Sequence, residues 1–316
     1  MNCPASLSIV IPCYDEEEVL PSTYARLKEL CLGWVNAGKI TEYEIVFVND
    51  GSTDKTFDIM RGFFESDQNV VVVDFRKNFG FQSAISAGLY AAKNEMIVSI
   101  DSDLQNDPEK IAEMVAKYYE GYEMVLGVRK DRAADKFFKR ITAQLFYKLV
   151  SFFGIPSVYN HADFRLLSRD IVAELKNFPE RARYLRSLIF SVESKYACVY
   201  YECRARALGR SKFNFSKMVS LAIDGITSFS ATPIRLISLL GIVMFLFSII
   251  GLVYTLCVRF FLQAVVPGWA SVLLIILFLG GIQNLSLGVI GEYLSKLYLE
   301  AKQRPPYIIR REYRHK

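Results

Sequence analysis

The sequence predicts an α/β protein built on a mostly parallel sheet and followed by two membrane-spanning helices. Short apolar runs at residues 7–12, 43–48, 70–75, 96–100 and 124–128 alternate with segments of helical pattern. That alternation specifies parallel strands joined by right-handed crossovers. Residues 236–258 carry no charged side chain, and neither do residues 260–291. Polar residues follow each of the five runs, and open α/β sheets bind ligands at the carboxyl ends of their strands.

Leu7-Ser8-Ile9-Val10-Ile11-Pro12 is the first strand, with Tyr14-Asp15-Glu16 behind it and a helix from about Glu16. Tyr43 begins the second, which ends in the turn Asn49-Asp50-Gly51-Ser52 before a helix from Asp54. The third, 70–75, leads through Arg76-Lys77-Asn78 to a helix over 81–93. The fourth, Met96-Ile97-Val98-Ser99-Ile100, is closed by Asp101-Ser102-Asp103. Asp107-Pro108-Glu109 then has the composition of a helix start, for a helix over 108–119. The fifth strand, 124–128, ends at Arg129. Loops at the opposite edge, such as Glu65-Ser66-Asp67, show no comparable acids behind apolar strands.

Beyond Arg129, residues 135–153 form an amphipathic pattern, with Phe137, Phe138, Ile141, Leu145 and Phe146 among Lys136, Lys139, Arg140 and Lys148. It suits a packing helix or one lying at a membrane interface, and residues 214–226 read as a second interfacial helix. The run 236–258 is roughly 35 Å long as a helix, enough to cross a bilayer. Pro267-Gly268-Trp269 marks a turn, so the spans are expected at about 235–259 and 269–291. Lys296, Lys302, Arg304, Arg310, Arg311, Arg314 and Lys316 follow the second span, whereas only Arg259 lies between the two. Basic residues stay on the cytoplasmic side, so both termini are expected in the cytosol of a multi-pass inner-membrane protein. The amino terminus lacks a basic stretch followed by an apolar one, so no cleaved signal is expected. The domains expected are 1–212 catalytic, 213–232 juxtamembrane, 233–292 membrane and 293–316 a basic cytosolic tail.

The 316 residues are 52% apolar and carry a net charge of +5. The basic excess sits next to the membrane segments, which favours anionic head groups over nucleic acid. Cys3, Cys13, Cys31, Cys198, Cys203 and Cys257 lack paired metal-ligand spacing, so reduced thiols are expected. No Gly-rich dinucleotide or Walker-type loop is present, which argues against a dinucleotide enzyme or an ATPase. Asp101 and Asp103, with the carbonyl of Gln105, offer the hard oxygen ligands that Mg2+ or Mn2+ prefers and leave other positions to phosphate oxygens. The competing reading of Asp-x-Asp is a cap for the helix that follows.

Pro12-Cys13-Tyr14-Asp15-Glu16, Val48-Asn49-Asp50-Gly51-Ser52, Asn78-Phe79-Gly80, Asp101-Ser102-Asp103-Leu104-Gln105, Asp163-Phe164-Arg165-Leu166-Leu167-Ser168-Arg169, Gly209-Arg210-Ser211-Lys212-Phe213 and Arg304-Pro305-Pro306-Tyr307-Ile308-Ile309 together form an ordered set. The set resembles the polyprenyl-phosphate glycosyltransferases of glycosyltransferase family 2, and within it the bactoprenol glucosyltransferase and dolichol-phosphate mannosyltransferase groups. The resemblance spans essentially the whole chain. It implies a GT-A, Rossmann-like fold, a nucleotide-sugar donor, a divalent metal, and transfer to a lipid phosphate with inversion. By the same resemblance Pro12, Tyr14, Glu16 and Asp50 hold the nucleoside, with Ser102 also on the nucleotide. Asp101, Asp103 and Gln105 form the metal and diphosphate site. Asp15 stands where the family usually has Asn, and His161-Ala162 where relatives often carry Gly.

A polyprenyl phosphate is largely dianionic above about pH 6 and needs little activation as a nucleophile. Cations must instead bring two anions together, and Arg129, Arg140, Arg206 and Lys212 are the candidates. Asp163 is the candidate base or orienting group, by resemblance and because an apolar strand-like run follows it, and Asp103 is grouped with it as catalytic. Resemblance to the bacterial group favours UDP over GDP. Glucose, N-acetylglucosamine, galactose and a modified arabinose all stay open as the sugar, and a homo-oligomer such as a tetramer stays open as the assembly. The rivals are a processive polysaccharide synthase and a non-catalytic membrane scaffold. Trp34 and Trp269 lie in no Gln-x-x-Arg-Trp motif, and two spans are too few for a polymer conduit.

Overall fold

The computed structural model describes residues 4–103, 105–130, 158, 160–178, 180, 185–202, 227, 230–257 and 268–315. Its strands are β1 (Leu7–Cys13), β2 (Tyr43–Asn49), β3 (Val70–Phe75), β4 (Met96–Ser99), β5 (Met124–Arg129), β6 (His161–Ser168), β7 (Tyr196–Tyr201) and β8 (Ile309–Tyr313). The helices are α1 (Leu20–Asn36), α2 (Thr56–Ser66), α3 (Phe81–Ala91), α4 (Ile111–Tyr119, entered by a 3-10 turn at Pro108–Lys110), α5 (Arg169–Asn177), α6 (Leu185–Val192), α7 (Thr232–Cys257) and α8 (Trp269–Ala301). All strands join one sheet in the order β7-β5-β6-β4-β1-β2-β3-β8. The chain groups into two units, Met1–Val219 with Arg304–Lys316, and Ser220–Gln303.

Strands buried on both faces read as unbroken apolar runs, and every residue of β1 and β3 is buried. β1 pairs in parallel with β2, from Leu7↔Tyr43 to Cys13↔Asn49, and with β4, from Leu7↔Met96 to Val10↔Ser99. β2 pairs in parallel with β3, out to Asn49↔Asp74. The carboxyl ends therefore share one edge. β6 enters antiparallel between β4 and β5, with Ser99↔Arg165 and Leu126↔Arg165. Its direction brings its first residues to that same edge.

One face of the sheet packs Ile9, Ile11, Ile45, Phe47 and Val72 against Leu20, Leu27 and Trp34 of α1, Met60 of α2 and Met114 of α4. Burial of each large side chain contributes about 1.5–3 kcal/mol. On α3 the approach to the sheet is closer. A Cβ at Gly88 would lie 2.3 Å from Val10 Cγ1 and 2.9 Å from Val48 Cγ2, so only glycine fits there.

The first two helices begin later than the sequence suggests, at Leu20 and Thr56. The residues ahead of them are spent on loop contacts: Thr53 N–H donates to Asp15 Oδ1 at 2.7 Å, and Thr56 N–H to Asp54 Oδ1 at 2.9 Å. The helix expected over 81–93 ends at Ala91. Asp107 caps the 3-10 turn, accepting from Glu109 N–H at 3.3 Å, as its composition suggested. Cys13, Cys31 and Cys198 are free thiols.

Among the described residues one helix segment, Thr232–Gly251, is long and apolar enough to cross a membrane, and none of it is buried. α8 spans 33 residues, and the second crossing expected from the sequence falls on its first part. The amphipathic segments at 135–153 and 214–226 lie outside the described residues.

Candidate active site

The turns after β1 and β2 are laced together at the carboxyl edge. Asp15 takes a left-handed backbone, φ 51°, and its N–H donates to Ser52 Oγ at 3.1 Å. Glu16 N–H donates to Thr56 Oγ1 at 2.8 Å, and Lys55 N–H to Glu17 Oε2 at 3.0 Å. Asp50 is buried, and its two carboxylate oxygens accept Phe79 N–H at 2.7 Å and Gly80 N–H at 3.0 Å. Burial raises its pKa, and those two amides oppose the rise. Gly51 has φ 68°, and a Cβ on it would sit 2.3 Å from the Lys77 carbonyl carbon. Asp50 and Gly51 thus pin the turn after β2 to the loop after β3. Pro12 lies within β1 and Tyr14 is half-buried just beyond it.

A second cluster forms where β4, β5 and β6 end or begin. The register Ser99↔Arg165 sets Asp101 beside Asp163. Asp101 is raised from the ordinary 3.8 to about 6 by burial, then by the charges of Asp163 and Asp103. Asn106 Nδ2 donates to Asp101 Oδ2 at 2.9 Å, Tyr201 O–H donates to Asn106 Oδ1 at 2.6 Å, and Arg129 Nε donates to Tyr201 Oη at 3.2 Å. Asp103 is buried, and its Oδ1 accepts Gln105 N–H at 3.1 Å. The Ser102 carbonyl accepts from buried Thr23 Oγ1 at 2.6 Å, which ties the acidic turn to α1.

Asp163 lies inside β6 rather than ahead of a strand. Its Oδ1 is bridged by buried Arg165, and its Oδ2 accepts Arg186 Nε at 3.1 Å and Nη2 at 2.6 Å. Burial alone would raise this carboxyl, but Arg186 and Arg165 outweigh it and hold it well below the usual carboxylate range. Residues two apart on a strand share a face, so His161 stands on the side of Asp163 and Arg165. Burial, with Arg165 and Arg186 nearby, drives its pKa far down and keeps it neutral. Among the described residues its Nε2 has no hydrogen-bond partner.

The structure thus brings Asp101, Ser102, Asp103, Gln105, Asp163 and Arg129 to one cluster, and Pro12, Tyr14, Glu16 and Asp50 to the neighbouring turns of the same edge. Arg140, Arg206 and Lys212 lie outside the described residues. Sequence reasoning missed Arg165, Arg186, Asn106, Tyr201 and Thr23. The two-residue spacing of Asp163 and Arg165 on a strand signalled one of these; the others are joined only by the fold.

No group of three or more His, Cys, Asp or Glu among the described residues is arranged to hold a metal ion by itself. The donor set nonetheless fits a divalent cation shared with a ligand. Asp101 and Asp103 supply hard oxygens, and Asp101 is crowded by like charge that a dication would offset. The cluster thus has the donor chemistry for a metal shared with a phosphate-bearing group, while Asp163 stays ionised between two guanidinium groups.

A model of the family described as glycosyl transferase family 2 matches residues 8–176. The chain is 42% identical over 309 residues to the uncharacterized glycosyltransferase YkcC of Bacillus subtilis (strain 168), covering 97% of this chain and 94% of that one. It is 40% identical over 306 residues to the prophage bactoprenol glucosyl transferase homolog of Escherichia coli (strain K12), covering 96% and 98%. To the bactoprenol glucosyl transferase of Shigella phage SfV it is 39% identical over 307 residues, covering 97% and 98%.

Proposed function

This chain belongs to glycosyl transferase family 2, and from that premise we propose that it moves one sugar from a UDP-sugar to a polyprenyl phosphate at the cytosolic face of a membrane, with inversion. That it is a glycosyltransferase follows from the family. The acceptor is supported by the names of its bactoprenol relatives and by the apolar segment Thr232–Gly251, whose exposed Leu239, Phe247 and Ile250 suit lipid rather than water. In this reading α7 and α8 both cross the bilayer, and the basic residues after α8 keep that end cytosolic.

The observation that carries the reading is the Asp101–Asp103 turn at the carboxyl edge, with Asp101 raised to about 6 beside Asp163. Asp101 and Asp103, with Gln105, would hold Mg2+ or Mn2+ against the donor diphosphate. The ion would offset the charge that builds on the departing nucleoside diphosphate. Pro12, Tyr14, Glu16 and Asp50 hold the nucleoside, with Ser102 between the two acids of the metal turn. A phosphate oxygen of the acceptor forms the new bond to the anomeric carbon, and the bond from that carbon to the donor diphosphate breaks, its electron pair leaving on the diphosphate oxygen as UDP departs. One displacement inverts the centre.

The nucleophile is already anionic, so no strong base is required. Asp163, held ionised by Arg165 and Arg186, is a poor proton acceptor and serves to fix two guanidinium groups beside the reacting phosphate. Arg129, with Arg140, Arg206 and Lys212, offsets the acceptor's charge. The test is UDP release by the full-length protein in detergent with Mg2+. Release that rises with added polyprenyl phosphate supports the proposal. Equal release without the lipid would make the protein a nucleotide-sugar hydrolase, and release from GDP-mannose alone would overturn the UDP assignment.

A further inference from the structure

The sequence after α8 has the composition of a solvated basic tail, yet residues 309–313 join the sheet as β8 and residues 306–308 lie along the loop after β3. β8 pairs antiparallel with β3, Val72↔Tyr313 to Phe75↔Ile309, with a shift of register at Asp74/Phe75. Arg76 N–H donates to the Ile308 carbonyl at 3.1 Å. The Tyr307 ring stacks on Phe75 at 5.1 Å and 11°, and Phe75 meets Phe79 edge-on at 5.8 Å. Ser83 Oγ, in the first turn of α3, donates to the Pro306 carbonyl at 3.4 Å. The tail therefore brackets residues 75–83, the segment whose Phe79 and Gly80 amides grip Asp50.

Arg310 adds a polar connection. Its Nη2 donates to the Arg76 carbonyl at 3.2 Å, and its Nη1 lies 3.6 Å from Asp74 Oδ2. Asp74 is buried, and its Oδ1 accepts Asn49 Nδ2 at 2.7 Å. Asn49 Oδ1 in turn accepts Ser52 N–H at 3.0 Å, and Ser52 Oγ accepts Asp15 N–H at 3.1 Å. A continuous chain of contacts runs from the tail through Asp74 and Asn49 to both turns that carry Tyr14, Glu16 and Asp50.

We infer that Tyr307 and Arg310, which belong to the same unit as the turns after β1 and β2, are positioning residues for the donor nucleotide. The inference rests on the reading of Tyr14, Glu16 and Asp50 as nucleoside contacts. The simpler role for β8 is to cover the edge of the sheet, and the opposite end of the same strand separates the two. Arg314 bonds Glu44 Oε2 at 2.7 Å and the Ala91 carbonyl. Those partners lie at the start of β2 and the end of α3, away from the nucleotide turns.

The experiment compares full-length Tyr307→Ala, Arg310→Ala and Arg314→Ala with the conservative Tyr307→Phe and Arg310→Lys. It measures UDP binding by calorimetry with Mg2+, donor and acceptor KM, kcat and thermal midpoint. Tyr307→Ala and Arg310→Ala are expected to raise the UDP Kd and donor KM about fivefold each, the scale of one partly exposed ion pair or stack. In both, kcat and acceptor KM stay within about twofold of the wild type. Tyr307→Phe keeps the ring and restores binding; Arg310→Lys restores part of it. Arg314→Ala lowers the midpoint and leaves the donor KM unchanged. If the two alanine variants lower the midpoint as Arg314→Ala does and bind UDP like the wild type, β8 is an edge cover and the inference fails alone. If wild-type protein does not bind UDP, the nucleotide reading fails and takes this inference with it.

Discussion

Replacing Asp101 by Asn is expected to stabilise the metal-free protein while abolishing transfer. The carboxyl sits at about 6 instead of 3.8, chiefly because of burial and then because Asp163 and Asp103 repel its charge. A rise of that size corresponds to about 3 kcal/mol by which ionised Asp101 burdens the folded state at neutral pH. Asparagine is close in shape, and its carbonyl oxygen can still accept from Asn106, so most of that cost disappears. The rise is already net of the opposing pull of Arg129 and Asn106, and imperfect replacement of the carboxylate by the amide leaves a gain of about 1–3 kcal/mol and a thermal midpoint higher by about 5 °C. Because the folded pKa is raised, the wild type loses stability as pH climbs from about 4 through about 6. The two proteins should therefore unfold together at about pH 4, separate as the pH rises to about 6, and keep a constant gap from there to pH 8. Thermal unfolding in detergent with a chelator, across that range, measures the gap. Mg2+ with UDP should then raise the wild-type midpoint and leave the variant's unmoved. A variant less stable than the wild type at pH 8, or a gap that does not change between about pH 4 and about pH 6, would refute the reasoning.

Asp163→Asn leaves the buried Arg165 without its counter-charge and is expected to cost about 3–5 kcal/mol in chemical or thermal unfolding. With its pKa held low, the Asp163 pair should contribute undiminished stability across pH 5–8 and lose it only on strong acidification, which a pH titration of the wild-type midpoint checks. Gly51→Ala forces a Cβ against the Lys77 backbone at a positive φ; the expected loss is about 2 kcal/mol together with weaker UDP binding, read by unfolding and calorimetry. His161→Phe removes a buried nitrogen that lacks a partner among the described residues and keeps a ring facing Phe190 at 6.4 Å. The midpoint should hold or rise by the equivalent of about 1 kcal/mol.

The first five strands were legible because a parallel strand buried on both faces leaves an unbroken apolar run, and their polar followers marked the ligand edge. β6 was legible only as a strand-like run after Asp163, because Asp163 and Arg165 break its apolar pattern; they are buried inside the strand as an ion pair rather than exposed as loop. β8 hid for the opposite reason: Arg310, Arg311 and Glu312 are exposed on an edge strand, so local composition matches solvated tail and only pairing with distant β3 reveals it. Asp101 and Asp103 were found from their place at the end of the apolar run 96–100, their spacing and the family resemblance. Arg186, Asn106, Tyr201 and Thr23 come from other elements and reach the acids by long-range packing, which no local pattern encodes. Asp50 was expected as a nucleoside contact, and the backbone amides of Phe79 and Gly80 that hold its carboxylate were not.

The central claim is that the Asp101–Asp103 turn presents a metal-bound sugar donor to a lipid phosphate. Its most direct test is mass analysis of undecaprenyl phosphate after incubation with the full-length protein, Mg2+ and each of several UDP-sugars. The account predicts a lipid heavier by one sugar with one of those donors, and no product when a chelator is present or Asp101 is replaced by Asn. Lipid left unmodified by every donor, several sugars added to one lipid, or undiminished product under chelation would contradict it.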